Sequence, residues 1–297
     1  MFQYFGELAA LGTASCWSFG SMAFTIASRR FGYWSVNILR LAVALILLVT
    51  AKWIITGSPF LPEVTAYHWF WFGLSGIIGF ILGDTLLFKS FALIGARLAM
   101  LMMSLVPVFG TLIAWIFMNE ILGVTKIIAI LVTLSGITWV VLSKTNLGLK
   151  KHHYLIGIVC GIGGAAGQAI GLVLSKKGLV NGFSPLTGNI VRTLVASMGI
   201  WMIALFQGKI PHTVSLLKDK KGAAAMSSGA FLGPFLGVWL SLIAVQHTYV
   251  GIATTLMALP PVFLIPLSRW IFKERITTGA VLGTILAVSG VALIFLL

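Results

Sequence analysis

The chain has 297 residues, 59% of them hydrophobic and only 9% charged, with a mean hydropathy of +1.06. Soluble domains carry roughly 45–50% apolar and about 25% charged residues, so this chain has too little polar surface for a water-facing globule and too little charge to stay disordered. Its net charge of +14 sits mostly between apolar runs, which points to anionic lipid headgroups and to membrane orientation, not to nucleic acid.

A spanning helix takes about 20 apolar residues, and backbone groups in lipid must be satisfied within the segment. The first run covers about residues 4–28. Arg29 and Arg30 follow it, the reverse of a secretory signal, so it reads as a retained helix. Further runs lie near 33–55, 67–93, 97–118, 124–142, 154–175, 185–206, 222–246, 249–272 and 278–297. The reading is an all-α polytopic membrane protein of ten transmembrane helices. A barrel is excluded, because its strands would alternate polar and apolar residues over about ten positions. Only three connections exceed a tight turn: 58–63, 144–153 and 208–221. Cys16 and Cys160 both fall inside apolar runs, and two cysteines so placed make neither a disulfide framework nor a zinc site.

The basic stretch at 144–153 lies near the middle of the chain and prompts a search for repeats. LVPVFGTLIAWIFMNE (105–120) aligns with LPPVFLIPLSRWIFKE (259–274), placing Pro107 on Pro261 and Glu120 on Glu274 at an offset of 154. The same offset carries Gly79 to Gly233 and Gly83 to Gly237. Asn37-Ile38-Leu39-Arg40 matches Asn189-Ile190-Val191-Arg192 at 152, and Trp17 matches Gln168 at 151. The halves are therefore 1–143 and 154–297, joined by a basic linker at 144–153. Each holds five spans, an odd number, so the second must sit inverted relative to the first. Inverted repeats around a central cavity are the architecture of many secondary transporters.

Two five-helix halves, a Pro-Val-Phe run in the fourth helix of each, the closing Glu and a Ser-Gly pair in the fifth (Ser135-Gly136, Ser289-Gly290) resemble the EamA family of the drug/metabolite transporter superfamily. The resemblance covers nearly the whole chain. It implies a ten-helix basket with a central cavity, and a secondary transporter, an exporter, of small metabolites such as amino acids. A second reading within transport is proton-coupled drug efflux; the rival outside it is a membrane-embedded enzyme or structural subunit. No P-loop, G-x-S-x-G or H-E-x-x-H sequence occurs, so neither built-in ATP drive nor hydrolytic chemistry is expected, and no cofactor or metal.

Fourteen of the 20 Lys and Arg residues lie in odd-numbered connections and four in even-numbered ones, which places the odd connections in the cytoplasm and both termini outside the cell (inner) membrane. Arg40 and Arg192 lie within spans. Charges there are costly and mark functional candidates. Asp84, in the third span, shares a depth with Arg40, so the two are expected to pair. The alternative for Asp84 is a proton-coupling or substrate-amine site. Arg192 has Val238 where its repeat partner has Asp84. It reads either as a snorkelling anchor or, with Asn189 on the same helix face, as a donor to a cargo carboxylate. Trp17 and Gln168 stand out among small residues and are expected either to pack or to project into the cavity. Pro107 and Pro261 are expected to kink their spans. The expected partners are a small-molecule substrate, a bilayer with anionic lipids at the basic loops, and protons as the coupling ion.

Overall fold

The computed structural model describes residues 4–118, 123–142, 151–179, 182–247, 256–273 and 276–296. Among these, every apolar run is helical. Helices α1 (Phe5–Phe31) and α2 (Tyr33–Thr56) are separated by Gly32, whose φ of 78° turns the chain back at once. The third span opens with α3 (Ala66–Ser75), widens into a π-helix, π1 (Gly76–Gly83), and continues as α4 (Asp84–Met103), within which Gly95 at φ 79° makes the turn into the fourth span. Then come α5 (Leu105–Met118), α6 (Val124–Leu142), α7 (Lys151–Gly178) and α8 (Pro185–Phe206). After the short α9 (Ile210–Ser215), the eighth span repeats the pattern of the third: α10 (Lys220–Ala230), a π-helix π2 (Phe231–Gly237), and α11 (Val238–His247). Helices α12 (Pro260–Phe272) and α13 (Thr278–Leu296) close the described chain. Among the described residues five helical stretches are long and apolar enough by themselves to cross a bilayer; Ile127–Val140 and Thr278–Leu293 are shorter apolar segments.

The two halves interleave. α1 packs along α10, π2 and α11, and in the mirrored arrangement α7 packs along α3, π1 and α4. α2 lies against its own repeat α8, and α6 against its own repeat α13. Glycine contacts give the directions. A Cβ on Gly283 would meet Val140 and Gly136, whereas one on Gly290 would meet Thr133 and Ala129, so α6 and α13 run antiparallel. Leu48 clusters with Leu186 and Ile190, and Ile38 with Ile200 and Ala204, so α2 and α8 are antiparallel too. Segments with matching sequence therefore point in opposite directions, which is the inversion that five spans per half require.

Small residues make these approaches possible. A Cβ on Gly167 would stand 2.7 Å from the Gly83 Cα, and one on Gly171 would stand 3.1 Å from the Gly79 Cα. Ser75 Oγ donates to the Gly171 carbonyl at 2.6 Å, and its oxygen lies 2.7 Å from Ser175 Oγ. Polar ties join the halves at both ends of the bundle. At one end Arg30 holds Asp219 through two bonds of 2.5 and 2.9 Å, and those bonds keep the Asp219 carboxyl below its ordinary range. At the other, Lys52 Nζ donates to Glu63 Oε1 at 2.8 Å, and Thr187 Oγ1 from the second half donates to the same oxygen at 2.9 Å. The Lys52 bond is the main cause of a lowered Glu63 pKa.

The spans that carry Pro107 and Pro261 are interrupted, as expected, and the interruption falls just before each proline. The fourth span breaks at Ser104, and Pro107 is the third residue of the helix that restarts at Leu105. In the ninth span Pro261 is the second residue of α12. A proline cannot donate to the carbonyl four residues back and its ring clashes with it, so the helix is interrupted in the turn before the proline and restarts with the proline in its first turn. Glu120 and Glu274 lie outside the described residues.

Candidate functional site

A cavity of about 200 Å³ lies at the centre of the bundle, where the first to fourth and the sixth to ninth spans meet. Trp17, Arg40, Asp84, Gln168 and Arg192 all line it, as do Pro107 and Pro261. Asn189 does not; it is fully buried between α8 and π2. Most of the wall is apolar, with aromatic and thioether groups including Phe24, Phe88, Phe91, Met100, Met103 and Met257.

The polar groups are organised by π1. A π-turn leaves carbonyls without their usual helical partners, and such turns recur at functional sites. Asn37 Nδ2, from α2, donates to the Phe80 carbonyl at 3.0 Å and to Thr85 Oγ1 at 2.8 Å. Arg40, one helical turn on, donates through Nε to Asn37 Oδ1 at 2.9 Å and makes an ion pair with Asp84. Gln168 donates to the other Asp84 oxygen and, at 3.2 Å, to the Gly79 carbonyl. The expected Arg40–Asp84 pair is thus formed, and Gln168 joins it from the opposite half.

The second half repeats one part of this and omits another. Asn189 Nδ2 donates to the Pro234 carbonyl at 2.9 Å, and Pro234 is the repeat equivalent of Phe80. Trp17 packs on Gly237, as Gln168 packs on the equivalent Gly83. Arg192 departs from the pattern. It stays 4% exposed and reaches across to the first half, with its guanidinium carbon 4.5 Å from the centre of the Phe80 ring; Arg40 lies 5.4 Å from the same ring. The three ion pairs among the described residues join Arg30, Arg40 and Lys52 to carboxylates, and Arg192 is in none of them. Two buried guanidinium groups thus lie near one carboxylate that only Arg40 contacts, and the cavity wall carries a net positive charge at Arg192.

The match with known proteins follows this symmetry. The model of the EamA-like transporter family fits residues 4–142 and again 155–296. The chain belongs to the EamA-like transporter family. The family is one of membrane transporters, and the apolar helices described above fit a multi-pass membrane protein. The uncharacterized transporter YvbV of Bacillus subtilis (strain 168) is 26% identical over 199 residues, covering 63% of this chain and 59% of the relative, so the chain spans less than two thirds of that protein's length. A protein of known crystal structure superposes with a TM-score of 0.65 at 16% identity, covering 98% of this chain and 96% of the other; at that identity the likeness is one of fold.

Phe80 and Asn37 belong to the family member's site without having been singled out as site residues. Asn37 had a signal, its place in the repeated Asn-x-x-Arg. Phe80 had none, because its role comes from facing two arginines that the fold brings from different helices. Among the described residues no group of three or more His, Cys, Asp or Glu is placed to hold a metal ion.

Proposed function

We propose that this transporter exports small metabolites bearing a carboxylate and an apolar body, amino acids and related amphiphiles among them, by alternating access. The observation that carries the reading is Arg192, a buried cation with no carboxylate of its own in the wall of an otherwise apolar cavity. A guanidinium presents a planar fork of donors that matches a carboxylate, and aromatic and Met side chains suit the body of an amphiphile. The volume of about 200 Å³ lies below the roughly 300–1,000 Å³ of pockets for drug-sized ligands, which supports a small metabolite over drug efflux. Arg40 and Gln168 engage both Asp84 oxygens, which supports a structural role for Asp84 over a proton carrier. In this reading protons couple transport through another group. Residues 1–143 and 154–297 rock against each other about the cavity, the linker 144–153 is cytoplasmic, and the basic loops meet anionic lipids of the cell membrane.

The test is flux in liposomes containing the purified protein, with phenylalanine, 3-phenylpropionate and phenethylamine as probes, each with and without a pH gradient. The two carboxylate-bearing probes are expected to move and the amine is not. Arg192→Lys keeps the charge and loses the fork, so uptake of a sub-saturating carboxylate should fall by roughly one to two powers of ten. Transport of the amine alone, or wild-type flux by the Lys variant, would remove the anion reading.

A further inference from the structure

In the first half, Arg40 Nε donates to Asn37 Oδ1, three residues back on the same helix. The second half repeats that spacing in Asn189 and Arg192, yet Arg192 Nε and Asn189 Oδ1 are both buried with no hydrogen-bond partner. The two orphaned atoms are the donor and acceptor of one and the same bond, made in one half and unmade in the other. The Asn189 amide is oriented by its other end, since Nδ2 donates to the Pro234 carbonyl. Its Oδ1 is therefore turned to where the first half holds its arginine.

Residues three apart on a helix are neighbours, so Arg192 reaches Asn189 Oδ1 by side-chain rotation alone. What draws it away is in the other half: the Phe80 ring at 4.5 Å and the cavity beside Asp84. That position depends on α8 lying hard against π1. A Cβ on Gly76 would stand 2.3 Å from the Arg192 carbonyl oxygen. The rocking of one half against the other proposed above would open this contact and withdraw the ring, whereas Asn189 shares α8 with Arg192. Arg40 has no such choice, because Asp84 holds it next to Asn37. The residue equivalent to Asp84 is Val238.

We infer that Arg192 has two seats, one across the cavity on Phe80 and one at home on Asn189 Oδ1, and that Asn189 is the positioning residue of the second. Arg40 is the fixed arginine of the pair and Arg192 the moving one. Each buried orphan costs free energy while the bond is unmade, so the home seat is occupied once Phe80 is withdrawn. The inference rests on the transport reading only for the use of the movement, and its test involves no cargo.

The experiment uses full-length protein labelled with [15N]arginine in lipid nanodiscs, with the Nε–H signals of Arg40 and Arg192 assigned through R40K and R192K. Phe80→Leu removes the ring and adds no charge; Val238→Asp gives the second half the acid of the first. In each, solvent exchange at Arg192 Nε–H is expected to slow by about tenfold as it gains a partner. Adding Asn189→Ala to Phe80→Leu is expected to abolish the slowing. Unchanged Arg192 exchange in folded Phe80→Leu, or slowing that survives loss of the Asn189 oxygen, overturns the inference; if Val238→Asp does not fold, Phe80→Leu decides alone. Failure of the liposome probes would leave this readout intact, so the two ideas fall separately.

Discussion

Asp84→Asn is the sharpest perturbation of the site, because three helices converge on that one carboxylate. Asp84 is 6% exposed and Arg40 2%. The substitution keeps the shape and removes the charge. Its amide must also turn an NH2 toward one of two donors, Arg40 or Gln168, where the wild type presents an acceptor to each. Arg40 is then a buried cation with only amide and carbonyl partners, and Arg192 lies over the same Phe80 ring. Removing one partner of a buried ion pair costs about 3–5 kcal/mol, much of it the penalty of the stranded charge. At the sensitivity usual for chains of this size, the apparent Tm should drop by on the order of 10 °C. The assay is thermal unfolding of detergent-purified protein, with the monodisperse fraction by size exclusion as a second measure. Arg40→Gln added to Asp84→Asn removes the stranded charge and should recover part of the loss. An unchanged Tm in the single variant, or a double variant whose losses merely add, would refute the claim that Asp84 exists to hold Arg40.

Gly76→Ala would place a methyl 2.3 Å from the Arg192 carbonyl oxygen, backbone against backbone, and should cost about 1–3 kcal/mol by overpacking. Gly73→Ala one turn earlier in the same span, on α3, whose Cβ would have its nearest neighbour at 3.6 Å, is the control, and equal melting temperatures for the two would contradict the close α8–π1 contact. For orientation, a cysteine at Ser215 in the seventh connection should resist a membrane-impermeant maleimide in intact cells, and one at Phe60 in the second should react; both native thiols are buried. The opposite labelling would invert the topology and leave the fold as described.

The spans, their order and the inversion were legible because they rest on hydropathy and on parity, which need no side-chain detail. The Arg40–Asp84 pair was legible for a similar reason, since depth along two neighbouring helices fixes which charges can meet. Trp17 and Gln168 gave themselves away as large residues at equivalent places among small ones, and they do line the cavity. The π-helices were not legible. Gly79, Gly83, Gly233 and Gly237 mark them only as small residues, where π1 packs on α7 and π2 on α1. Asn189 was expected to share the cavity with Arg192. It faces π2 instead, because a freed carbonyl at Pro234 claims its amide, and nothing local in the sequence announces that carbonyl. Pro107 and Pro261 were legible as interruptions, since a proline cannot close the turn before it, and each span breaks there.

The seam between α6 and α13 has a consequence for how such a protein can vary. A segment lying antiparallel on its own repeat across a two-fold axis makes the contact that one half alone would make with a second copy of itself. In a pair of identical subunits, every substitution at that seam or at the cavity is forced to appear twice. Placing both halves on one chain lifts the constraint. Gly136 and Gly290, equivalent positions that must both stay small, show where symmetry is still enforced by steric fit. Asp84 against Val238, and Trp17 against Gln168, show where it has been given up. One arginine held by a carboxylate and its repeat equivalent left without one is an arrangement open to a fused chain and closed to a symmetric dimer, in which each subunit would bring its own acid.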